Sequence, residues 1–108
     1  MKFYKELYVS ESLTKKKDRI LKRLKEKRYP VNIYLIVLIE EGPNQLEYYS
    51  TALLKQSLLC DRAQFVVGIA AGYDDALYLV EEIVENVYKE TGGVDIRSYI
   101  KKKDSWEN

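Results

Sequence analysis

The sequence predicts an α+β fold: a mainly antiparallel sheet of three to four strands carrying a basic N-terminal helix and an acidic C-terminal helix, in the order β-α-β-β-β-α. Three observations lead there. VNIYLIVLIE alternates with period two, AQFVVGIAAG is apolar on both sides, and GYDDALYLVEEIVENVYKETGG carries helical periodicity with a signal at each end. At 108 residues the chain has room for one compact domain, assigned to 1–101, with 102–108 as a mobile tail.

The opening KELYVS is short and β-leaning, with Leu7 and Val9 on one side and Tyr8 on the other. Ser10 and Ser12 offer oxygens to the unpaired amides at a helix start. SLTKKKDRILKRLKEKR then runs without Gly or Pro until Pro30 stops it. Its apolar stripe is thin: Leu13, Ile20, Leu21 and Leu24.

In VNIYLIVLIE, Val31, Ile33, Leu35, Val37 and Ile39 share one face, assigned to the core under the acidic helix, and Tyr34, Ile36 and Leu38 share the other. Gly42, Pro43 and Asn44 form a turn signal. The following QLEYYSTALLK fits neither period cleanly. It is assigned to a strand over 46–53 hairpinned to 31–40, because Tyr-Tyr-Ser-Thr is β-leaning; the alternative is a helix in a parallel crossover.

The last strand, AQFVVGIAAG, places Phe65, Val67 and Ile69 opposite Val66, Gly68 and Ala70. In the acidic helix, Asp74 and Asp75 occupy the first turn and Gly92 follows the last. Ala76, Leu77, Val80, Ile83, Val84 and Val87 make its apolar stripe, and VDIRSYI adds one further helical turn. FVVGIAAGYDDALYLVEEIVENVY together with MKFYKELYV resembles small uncharacterised proteins of Firmicutes-type bacteria. The resemblance implies a bacterial cytoplasmic domain and brings neither an activity nor a site residue.

Several chemistries lack their parts. Histidine is absent, which removes the usual general base near neutral pH and the commonest metal ligand. Cys60 is the single cysteine, so no internal disulfide or CxxC pair exists, and it reads as a small hydrophobe at the core edge. Gly68 and Gly72 precede a helix, but GIAAGYDD has neither phosphate-loop spacing nor a following Lys-Ser/Thr and sets two carboxylates where a phosphate would sit. Asp75, Glu81, Glu82 and Glu85 read as a solvated helix face. MKFYKELYVSESL has no continuous apolar run, so no export signal is expected, and the longest apolar run of the chain is too short to span a bilayer as a helix. The expectation is a cytoplasmic protein with no cofactor, metal or membrane partner and no catalytic activity.

Charge is unevenly distributed. Residues 1–30 hold eleven Lys/Arg against four Asp/Glu, +7, and 31–108 hold seven against thirteen, −6. The simplest reading sets the basic helix near the acidic one, in the same fold or in a dimer. The expected function is therefore an interaction or assembly module that self-associates. Its homodimer face is Tyr34, Ile36, Leu38, Val66 and Ala70, left over once the acidic helix covers the other side. The alternative is a weak, non-specific nucleic-acid-associated protein using the basic helix 13–28, with Lys16, Arg19, Lys22 and Arg23 on phosphates and no base-reading Asn or Gln beside them.

Overall fold

The computed structural model describes residues 1–30, 32–55 and 64–106. Four strands form one sheet: β1 (Lys2–Val9), β2 (Tyr34–Leu38), β3 (Leu46–Ser50) and β4 (Phe65–Ala70), in the spatial order β1-β4-β2-β3. A 3₁₀ segment, Glu11–Lys16, leads into helix α1 (Lys17–Lys25), and a second, Thr51–Lys55, follows β3. Helices α2 (Tyr73–Thr91) and α3 (Ile96–Trp106) complete the described chain. The fold is α+β as the sequence predicts, but the sheet is mixed: β2 pairs antiparallel with β3 and β4, whereas β1 pairs parallel with β4.

The hairpin of β2 and β3 forms in full register, from Tyr34 opposite Ser50 to Leu38 opposite Leu46. Both strands are shorter than expected. Asn32 has φ 61°, a left-handed conformation that delays β2, and Val31 lies outside the described residues. At the other end Thr51 is fully buried; its amide donates to Ile33 O at 2.8 Å and its hydroxyl to Pro30 O, which turns the chain out of the ladder into the 3₁₀ segment.

Alternation along β2 is as predicted, but the helices cover the opposite faces. Ile36 and Leu38 pack with Ala76, Leu79, Ile83 and Val87 of α2 and with Ile96 and Ile100 of α3. Ile33, Leu35 and Val37 pack instead under Leu13, Ile20 and Leu24 of the basic segment, with Leu54. The thin stripe of α1 is thus enough for one face, because the second 3₁₀ segment shares the work.

A β-bulge at Val67–Gly68 changes the expected faces of β4: Ile36 lies opposite Gly68, yet the next residue, Val37, lies opposite Val66. Val67 therefore faces α2 while Ile69 faces α1, and Val66 and Ala70, expected on one face, belong to opposite sides. A Cβ built on Gly68 would stand 2.9 Å from Leu79 Cδ2, so the helix meets the sheet over this glycine.

Helix α3 runs past residue 101, into the segment read from sequence as a tail. Ile96, Ile100 and Asp104, spaced one turn apart, are all buried. Arg97 fastens its start to the hairpin turn, its guanidinium donating to Ile39 O, to Gly42 O at 2.7 Å and to Asn44 O at 3.1 Å. Helices α1 and α2 lie on opposite faces of the sheet, so the expected pairing of basic and acidic helices within one chain does not occur.

Candidate functional site

The predicted self-association face does not exist as a surface. Ile36, Val66 and Ala70 are 0% exposed and Leu38 is 3% exposed, all inside the two cores; Tyr34 alone reaches solvent, half-buried. The predicted phosphate contacts fare differently. Lys16, Arg19, Lys22 and Arg23 are all exposed and form no ion pair among the described residues. Because Ile20, Leu21 and Leu24 turn toward the sheet, Arg19, Lys22 and Arg23 share the outer side of α1. Cys60 lies outside the described residues.

Gly72 has φ 97° and begins α2, with Asp74 and Asp75 in its first turn. Glu81, Glu82 and Glu85 are exposed, and among the described residues no group of three carboxylates or thiols could hold a metal ion. An open groove of about 620 Å³ between the end of β1 and α2 is lined by Glu11, Asp75 and Glu82 without a facing cation. Among the described residues no helix is long and apolar enough to cross a membrane.

The two edges of the sheet are finished differently. At β1, Asp104 of α3 accepts the outward amide of Lys5 at 3.2 Å and pairs with Lys2 Nζ at 2.8 Å. Burial works against its charge, but the Lys2 ammonium and the Lys5 amide outweigh that and hold the carboxyl below its ordinary value. Lys103 of the same helix reaches Glu6 at 3.3 Å. Asp104 thus occupies one outward amide of this edge, one of the devices by which natural sheets discourage edge pairing.

At β3 nothing comparable is present among the described residues. Ile39 N–H donates to Gln45 O and Thr51 N–H to Ile33 O, so the odd-numbered residues of β3 face β2. The amides and carbonyls of Leu46, Tyr48 and Ser50 then point to the outer edge.

Beside that edge stand three tyrosines from three elements: Tyr34 of β2, Tyr48 of β3 and Tyr73 of α2. Their ring centroids lie 6.4, 6.1 and 5.9 Å apart, two of the three pairs edge-to-face. Tyr48 is 39% and Tyr73 50% exposed, and Leu77, one turn beyond Tyr73, is 39% exposed. The neighbouring Tyr73 hydroxyl pushes Tyr48 above its usual range. By contrast, Tyr4 and Tyr8 are raised first by burial, and the Tyr8 hydroxyl accepts from Asn86 at 2.8 Å; these two serve the core. The signal for the cluster was the excess of tyrosine itself, ten against two phenylalanines, but nothing in the sequence brings residues 48 and 73 together.

No family model, curated protein or solved structure matches this chain.

Proposed function

We propose that this chain is an assembly module that self-associates through the tyrosine surface beside β3, without a reaction, cofactor or metal of its own. The observation that carries the reading is the Tyr34–Tyr48–Tyr73 cluster, exposed next to an edge whose backbone groups point outward. Tyrosine gives a rigid ring and a hydroxyl with few torsions to order, which suits a contact formed from solvent. A reducing bacterial cytoplasm suits a chain with a single cysteine and the resemblance noted above.

Light scattering after size exclusion tests this over a concentration series. The wild type is expected to be a dimer at high micromolar concentration that dissociates on dilution. Tyr73→Glu, at an exposed first-turn position that tolerates a carboxylate, is expected to be monomeric and still cooperatively folded. A monomeric wild type throughout the series overturns the reading.

A second reading rests on the exposed cations of α1: Lys16, Arg19, Lys22 and Arg23 form a weak, non-specific site for nucleic acid. If about three phosphates are neutralised, affinity falls roughly fortyfold between about 50 and about 200 mM salt. Titration of labelled DNA and RNA at both salts, with a Lys16, Lys22, Arg23 triple-alanine variant, checks it. Sequence-selective binding that survives salt and substitution contradicts this reading.

A further inference from the structure

We propose that the occupant of the β3 edge is a second copy of this chain, its β3 pairing antiparallel with the first about a two-fold axis that passes beside Tyr48 and stands normal to the sheet. The inference rests on the self-association reading and adds the strand, the register and the stoichiometry.

Stoichiometry follows from the edges. Asp104 occupies the Lys5 amide on the β1 edge and interrupts the row of groups a further strand would need, so pairing runs through β3, and a two-fold β3–β3 contact closes at two copies in a single eight-stranded sheet. Register follows from the outward groups. Only Leu46, Tyr48 and Ser50 present their amides and carbonyls, so bonded pairs between copies are drawn from these residues.

Setting Tyr48 opposite the partner's Tyr48 pairs the whole strand, with Leu46 opposite Ser50 and Glu47 opposite Tyr49. That last pair repeats between chains the Tyr49–Glu47 hydrogen bond already made within one. Sliding by one step to put Leu46 opposite Tyr48 sets Glu47 opposite Glu47 and gives up both Glu47–Tyr49 pairs. Sliding the other way, Tyr48 opposite Ser50, shortens the overlap. The axis normal to the sheet keeps both tyrosine clusters on the same face, side by side. Short strands and three rings per copy make a small contact, below roughly 1,200 Å² of buried surface, which matches a dimer that dissociates on dilution.

Cysteine cross-linking of the full chain, on a Cys60→Ser background, reads the register directly. With Tyr48 on the axis, the Cα atoms of residue 48 in the two copies stand about 5.5 Å apart, within disulfide reach. Those of residue 50 are four residues out of step, about 14 Å apart once the spacing between strands is included. Under mild oxidation Tyr48→Cys is expected to give a linked dimer, Ser50→Cys none, and a mixture of Leu46→Cys and Ser50→Cys a linked heterodimer. A sample that scattering shows to be dimeric but in which Tyr48→Cys does not link, or Ser50→Cys links equally well, overturns the strand pairing and leaves self-association standing. A Cys60→Ser parent protein that stays monomeric in scattering overturns both.

Discussion

Ile36→Lys is expected to unfold the chain. Ile36 is fully buried at the centre of the sheet, opposite Gly68 and beneath α2, in a cluster of aliphatic and tyrosine side chains. The nearby carboxylates of α2 at positions 81, 82 and 85 point away into solvent, so a lysine here would be an unpaired charge taken out of water. Its penalty is on the order of several kcal/mol, added to the lost packing of the isoleucine. A small domain has only about 5–15 kcal/mol in total. Circular dichroism should show loss of the folded spectrum and a cooperative melt should disappear. A folded, monomeric Ile36→Lys protein would restore the view of this face as a dimer surface.

Gly68→Ala is expected to cost about 1–3 kcal/mol, and Gly68→Val more. Besides Leu79 Cδ2, the added carbon would lie 3.1 Å from Ile36 Cγ1 and 3.3 Å from Ile36 Cβ. The leucine methyl is the end of a flexible side chain, but Ile36 sits on the neighbouring strand and has nowhere to go. The urea midpoint should fall in the order glycine, alanine, valine. Leu79→Ala on its own destabilises, and combined with Gly68→Ala it should cost less than the sum of the two, because the alanine at 68 fills part of the space vacated. Strict additivity would show that the helix does not rest on this glycine.

Much of the architecture was legible because it follows from local chemistry. The β2 pattern fixed its two faces, Gly42-Pro43-Asn44 between two β-leaning runs gave the hairpin, and the Asp74–Asp75 start and Gly92 stop bounded α2. What failed depends on partners distant in sequence. Period two says that Ile36 and Leu35 face apart but not which helix lies over which, and the candidate interface was built on that choice. The bulge at Val67–Gly68 moves Ala70 away from Val66 and leaves no mark on the hydropathy of AQFVVGIAAG. Helix α3 did have a signal, Ile96, Ile100 and Asp104 at four-residue spacing, but Lys101–Lys103 gave the segment the composition of a solvated tail. The exposed side of α1 follows from its sequence, since a helix with one thin apolar stripe must turn everything else outward.

The placement of α1 and α2 on opposite faces has an effect felt beyond any contact. With a net charge of +1, the molecule is nearly neutral from afar, yet Lys15 to Arg28 lie on one side of the sheet, and Asp74, Asp75, Glu81, Glu82, Glu85 and Glu90 on the other. The lysines of α3 soften the negative side only in part, since Lys101 and Lys103 are engaged by Glu40 and Glu6. The protein therefore has a large electric moment along the sheet normal. Pairing about an axis parallel to that moment adds the two contributions instead of cancelling them, so an edge-to-edge dimer would be more polarised than either subunit. In dilute salt such particles attract face to back, and dissolved ions, by screening that attraction within about 10 Å at 0.1 M, make the protein more soluble.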